Sequence, residues 1–219
     1  MIGNTLRPKF WAEELAWGAE LKKDSAVLVL GSEEDRYIAA FTKHGLAAFA
    51  SGAFEAFTKG NQQLPHADGV FKCVFIPYAW HKFQDGSRVA AECYRVLKYD
   101  GKIFILTQSH EQLRLKPLFK FFPEAIDRQI SIYTSIPDLT AVLGKVGFKS
   151  IETSIYYWPG SVKPSDYIDA AEKNLCPELL VLPDKVRQQG IERLRDHIAK
   201  RSDKTFKDDD TSTLVVGKK

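Results

Sequence analysis

Apolar residues in this chain follow two rhythms. Largely continuous apolar runs stand at Ala26–Leu30 (AVLVL), Phe71–Ile76 (FKCVFI) and Lys102–Thr107 (KIFILT). Strands buried on both faces carry such runs, because neither face meets water. Elsewhere the apolar spacing changes to three and four residues, the period of a helix with one buried stripe. Residues 10–23 read as an opening amphipathic helix, and Glu34–Lys43 as a second. A third has Val89, Cys93, Val96 and Leu97 on one face and is closed by a turn at Tyr99, Asp100 and Gly101. Ser135 to Asp138 opens a fourth in the manner of a capping box; its stripe is Leu139, Val142, Leu143 and Val146, and Gly147 is placed as the stop. A strand near 149–157 follows.

Strands alternating with helices predict an α/β fold: a Rossmann-like, mostly parallel sheet with helices on both faces. The last quarter reads differently. Residues 164–175 and 184–201 are helical in pattern, the second with Ile191, Leu194 and Ile198 in register. A strand from Ser212 to Val216 follows the acidic turn Asp208, Asp209, Asp210. This predicts a helical C-terminal cap within one domain, 1–219, made of a core sheet over 24–157, the cap over 158–210 and a final strand over 211–219.

Composition narrows the class. The chain has 219 residues, 44% hydrophobic and 27% charged, which is ordinary for a globular domain. A net charge of +3 is too balanced to argue for nucleic acid on electrostatics alone. No apolar run approaches the ~20 residues that span a bilayer. Glu13, Glu14 and Glu20 in the opening segment are unlike a secretory signal. Cys73, Cys93 and Cys176 lack metal-ligand spacing, and reduced thiols suit a cytoplasmic protein.

A family pattern enters at residues 58–74 (TKGNQQLPHADGVFKCV). This stretch resembles the motifs of class I S-adenosylmethionine-dependent methyltransferases that read G-D-A-x-x-L-P-F-x-D-G-S-F-D-x-V. Residues 78–83 (YAWHKF) stand where that superfamily often has a loop ending H-H-L. Arg95–Gly101 (RVLKYDG) is similar to its R-V-L-K-P-G-G, and Val146–Phe148 (VGF) to its A-G-F. The resemblance covers most of 26–157 and is closest to the small, type 11-like members. It implies a seven-stranded sheet with S-adenosylmethionine at the carboxyl ends of the central strands, where open α/β sheets bind ligands.

The implied cofactor site departs from the pattern at its first turn. Gly31, Ser32, Glu33, Glu34 and Asp35 stand in place of G-x-G-x-G: Gly31 matches, while Glu33 and Asp35 occupy the other glycine positions. The acid expected inside the first strand is Val29, and the ribose-binding acid after the second strand has no clear counterpart, Glu55 being the nearest carboxylate. One reading makes Ser32 to Asp35 a self-capped helix start, with Ser32 as N-cap and Asp35 as its partner. The other has Glu33 or Asp35 attract the ligand's ammonium and sulfonium charges. Asn61, with Gln62 beside it, corresponds to the residue that reads the adenine amine, and an amide oxygen still accepts a hydrogen bond. Leu64 and Tyr78 complete the implied cofactor set. The short interval from Gly31 to Asn61 leaves room for only one strand–helix unit, so one edge unit is expected to be reduced or missing.

Methyl transfer needs positioning, and a base where the acceptor holds a proton. His81, after the fourth strand of the implied sheet, is the candidate base; a surface loop histidine is the competing reading. Tyr78 and Trp80 wall a pocket or pack as core. His110 and the basic-aromatic segment 114–122 read as loop and half-buried helix. Two functions remain open: methyl transfer to the oxygen or nitrogen of a small molecule, or a methyltransferase-like domain that has lost the cofactor and binds a protein partner. Membrane and nucleic acid are not favoured as partners.

Overall fold

The computed structural model describes residues 7–31, 33–52, 54–55, 63–200 and 205–219. Its strands are β1 (Ala26–Val29), β2 (Ala47–Ala50), β3 (Phe71–Pro77), β4 (Leu97–Thr107), β5 (Lys149–Trp158), β6 (Ser161–Val162), β7 (Phe206–Lys207) and β8 (Asp210–Lys218). The chain forms two compact units, one from the described parts of Leu6–Thr107, Thr134–Ile155 and Thr213–Lys219, the other from Gln108–Tyr133 and Tyr156–Ser212.

The first unit holds the sheet, in the order β2-β1-β3-β4-β8-β5. β1 runs parallel to β2 and β3, β3 parallel to β4, and β8 antiparallel to β4. The expected mostly parallel sheet is therefore present. Among the described residues it has six strands rather than seven, with β2 at one edge. The Gly31–Asn61 interval, where a reduced edge unit is expected, lies partly outside the described residues.

Alternation along β3 shows why the central run is apolar throughout. Val74 and Ile76 enter a core with Leu28, Leu30, Val89, Cys93 and Leu143. Phe75, on the opposite face, meets Trp11, Tyr37 and Phe41 at ring-centroid separations of 6.4, 5.2 and 5.7 Å. Helices Gly86–Val96 and Ile136–Val146 cover the first face, and Pro8–Gly18 and Glu34–Lys43 the second. Asp85 caps the helix Gly86–Val96 by accepting the Arg88 N–H at 3.0 Å. Ser135 accepts the Asp138 N–H at 3.2 Å, and Gly147 stops that helix at φ 116°.

Some expected boundaries shift. The opening helix ends at Gly18 rather than 23, and Glu20 turns the chain at φ 51°. Tyr99, Asp100 and Gly101 lie inside β4 instead of in a turn before it; the register shifts between Phe71 and Cys73, and Asp100 takes φ 64°. The extra residues are absorbed as an irregularity of the strand. All three cysteines are buried and unbridged.

The second unit is mainly helical, with the short antiparallel pair β6–β7. Its core joins Phe119, Phe122, Tyr167, Leu179, Ile191 and Leu194. The segment 114–122 is not one helix but parts of two, His110–Arg114 and Leu118–Phe121. The helix Asp184–Lys200 buries Ile191 and Leu194 as expected, but Ile198 is 38% exposed. No described helix is long and apolar enough to cross a membrane.

Candidate functional site

The carboxyl ends of β1 and β2 are joined by one carboxylate. The Gly31 N–H donates to Glu34 Oε1 at 3.1 Å, and the Ser51 hydroxyl donates to the same oxygen at 2.6 Å. Ser51 is held at the end of β2 by its own N–H, which donates to the Val29 carbonyl at 3.0 Å. Glu34 Oε2 accepts no hydrogen bond among the described residues. A Cβ on Gly31 would lie 3.3 Å from Pro77 Cγ and 3.4 Å from its carbonyl, so glycine there lets β1 turn directly over the end of β3.

This geometry corrects the expected helix cap. The helix begins at Glu34, and its N-cap position is Glu33, whose side chain makes no capping bond. The carboxylate that closes the turn is that of Glu34, not Asp35, which is exposed. Glu33 pairs at 3.3 Å with Arg36 on the solvent side, an interaction worth little in water. Ser32, Asn61 and Gln62 lie outside the described residues.

The end of β3 carries the next group. Tyr78 sits at φ 48°, a left-handed conformation uncommon for a bulky residue, and its N–H donates to the Leu106 carbonyl at 2.8 Å. A 3-10 turn, Trp80–Lys82, follows. Trp80 is core, 4% exposed and edge-on to Phe83, whereas His81 is half-buried beside it.

Leu64 is buried, and both of its main-chain polar groups are engaged. Its N–H donates to Glu92 Oε2 at 2.8 Å, and its carbonyl accepts from Arg95 Nη2 at 3.2 Å. Arg95 also donates to the His66 carbonyl, to Asp68 and, through two nitrogens, to Glu92. The Arg95 guanidinium, through those hydrogen bonds, holds the Glu92 carboxyl below the usual carboxylate range despite partial burial. The arginine of R-V-L-K thus ties down the L-P-H-A-D loop, linking two motifs distant in sequence.

In the second unit His110 Nε2 lies 2.8 Å from the Tyr133 carbonyl, so that nitrogen carries the proton and donates. His110 is a bonded helix-start residue rather than a solvated loop side chain. Among the described residues no cluster of three His, Cys, Asp or Glu is arranged to hold a metal ion.

Comparison with known proteins now adds a family match over part of the chain. Residues 38–105 fit the family described as Methyltransferase domain. Over that stretch the chain is similar to methyltransferases. Solved structures share its fold. A proposed methyltransferase from an antibiotic biosynthesis pathway of Anabaena variabilis superposes with a TM-score of 0.74 at 15% identity, covering 95% of this chain and 96% of its own. A proposed methyltransferase of Bacillus halodurans gives 0.56 at 18% identity, covering 94% and 97%. Phosphoethanolamine N-methyltransferase 2 of Haemonchus contortus, solved with S-adenosyl-L-methionine, gives 0.52 at 15% identity; 95% of this chain aligns to 52% of that one. No functionally curated protein matches this sequence.

Proposed function

We propose that this chain binds S-adenosylmethionine and methylates an oxygen or nitrogen of a small molecule in the cytoplasm. The observation that carries this reading is the Glu34 carboxylate at the ends of β1 and β2, with Oε2 uncommitted among the described residues. A carboxylate in that place suits the ribose hydroxyls of an adenosine ligand, and it compensates for the lack of a clear ribose-binding acid after the second strand. The close fit of Gly31 against Pro77 preserves the tight first turn. Asn61 and Gln62 are the proposed readers of adenine, with Leu64 and Tyr78 beside the base and Ser32 and Glu33 along the turn.

When bound, S-adenosylmethionine supplies an activated methyl group for in-line displacement. The chain's own part is to hold and orient: Glu34 accepts the ribose hydroxyls, and His81 takes the proton from the acceptor. A second reading, a scaffold protein without cofactor, draws on the same contact. The Gly31 N–H is already engaged by Glu34 and is not available to a ligand.

Calorimetric titration with S-adenosylmethionine and S-adenosylhomocysteine separates the two. Binding of both is expected, and ligand at a hundred times its dissociation constant stabilises the native state by about 2.7 kcal/mol. Asn61→Leu should weaken binding, whereas Glu33→Gly should not. No heat and no thermal shift at millimolar ligand would sink the enzyme reading and leave the scaffold.

A further inference from the structure

The second unit contains a cavity of about 420 Å³, large enough for a small organic molecule. Its walls combine apolar surface from Leu115, Pro117 and Leu118 with hydrogen-bond acceptors. Asp208 accepts a hydrogen bond from the buried phenol of Tyr167, and among the described residues no lysine or arginine forms an ion pair with it. Glu178 accepts the Cys176 thiol at 3.3 Å and meets Lys116 only at 3.9 Å. Burial pushes the Cys176 thiol up to about 12, so it remains a neutral donor to that carboxylate. Among the described wall residues Lys116 is the ammonium close to both acids, by an ion pair to Glu178 and by charge attraction to Asp208.

The remaining charges do not redress this. Lys207 is spent on Asp209 at 2.9 Å, and Asp209 also accepts the Tyr157 hydroxyl at 2.5 Å. Lys120 lies exposed on the wall, and Asp210 adds a further carboxylate. An independent observation comes from Gln108, 6% exposed and part of the same wall. Its amide nitrogen donates to the Thr211 carbonyl at 2.9 Å, while its Oε1 accepts nothing among the described residues. Among the described residues, two half-buried carboxylates share one lysine, with an unused amide oxygen and aromatic rings nearby, a setting that suits one more cationic donor.

We infer that this cavity binds a small organic ammonium ion with an apolar body, its N–H groups donating to Asp208 and Gln108 and its body resting on Tyr157, Tyr167 and Leu118. The site belongs to the second unit alone and stands whether or not S-adenosylmethionine binds.

The test is calorimetry on the full chain at neutral pH and low salt with three probes of one shape: 2-phenylethylamine, 2-phenylethanol and phenylacetate. The amine should bind about tenfold or more tighter than the alcohol, and the acid should not bind measurably. Asp208→Asn should bring the amine to the level of the alcohol. Lys116→Met should tighten the amine severalfold, an opposite effect that a merely damaged fold would not give. Equal binding of all three probes, absence of amine binding, or an unchanged amine affinity in both variants would overturn the inference. Titration of S-adenosylmethionine into the same samples reports on the cofactor separately.

Discussion

The Ser51 hydroxyl donates to the Glu34 carboxylate at 2.6 Å, across seventeen positions of sequence and between the end of one strand and the start of a helix. The same oxygen accepts the Gly31 N–H, so one side chain closes the first turn and supplies charge at the second. Glu34→Ala leaves the part-buried Gly31 donor and the Ser51 hydroxyl without their acceptor. The expected loss is about 1–2 kcal/mol in urea unfolding, with S-adenosylmethionine affinity down about tenfold or more. A Glu34→Ala variant that binds the cofactor more tightly would mean that Glu34 obstructs the turn, and the ribose role would be withdrawn.

Glu92 and Arg95 hold the loop before β3 together. Their side chains are 13% and 29% exposed, and the carboxylate receives two guanidinium bonds and the Leu64 N–H. Arg95→Met should cost about 2 kcal/mol, because it strips a mostly buried carboxylate of its counter-charge. The double variant Arg95→Met, Glu92→Gln should lose clearly less than the two single losses added.

The same pair sets a pH dependence. The Glu92 pKa is depressed in the folded state, chiefly by the Arg95 hydrogen bond. Its contribution is therefore complete above the ordinary glutamate pKa of about 4.3 and disappears as pH falls through the lower folded value. Unfolding followed from pH 6 to pH 3 should show a stability decline that Glu92→Gln flattens. Parallel wild-type and variant curves would rule out Glu92 as the titrating group.

Much of this arrangement was legible from residue patterns. Phe71–Ile76 and Lys102–Thr107 could be read as central strands because both faces of each are buried, and Ser135 and Gly147 mark their helix by local capping chemistry that acts through nearest neighbours. β2 forms one edge of the six-stranded sheet among the described residues. What escaped was long-range. Glu34 is one of three acids in a row; its bond from Gly31 is local, but the Ser51 hydroxyl that joins it comes from the end of β2. Arg95 could be quoted as a motif letter, yet its contacts with Leu64 and His66 depend on strand order. Ile198 fits the helical period but is partly exposed, since periodicity fixes a face and not what lies against it.

Asp208 should behave in the opposite sense to Glu92. Burial raises its carboxyl pKa, against the Tyr167 hydrogen bond and Lys116, which lower it, while Asp209 and Asp210 reinforce the rise. A raised carboxyl pKa penalises the folded state wherever the group is ionised, so the penalty is complete above the folded value and absent below the ordinary one. Asp208→Asn keeps an acceptor for Tyr167 and removes the charge. The variant should be more stable than the wild type at neutral pH, with the difference shrinking as pH falls through the folded value towards the ordinary aspartate pKa. Equal thermal midpoints at pH 7 would show that Asp208 bears no such penalty.

Two helical glycines should respond to alanine with opposite signs. Gly190, inside Asp184–Lys200, lies against the fully buried Phe122, and a Cβ there would collide with two carbons of its ring. Alanine gains about 1 kcal/mol of helix propensity at such a position, but forcing Phe122 from its place costs about 1–3 kcal/mol. Gly190→Ala should therefore be destabilising overall, and Phe122→Leu should relieve part of the collision when combined with it. Gly144, inside Ile136–Val146, offers an ordinary 3.8 Å contact to Ile151 Cδ1. There the propensity gain is unopposed, and Gly144→Ala should stabilise by about 0.5–1 kcal/mol. Chemical unfolding of the two variants decides the matter: a stabilised Gly190→Ala would show that the helices can separate at no cost, contrary to the packing seen around Phe122.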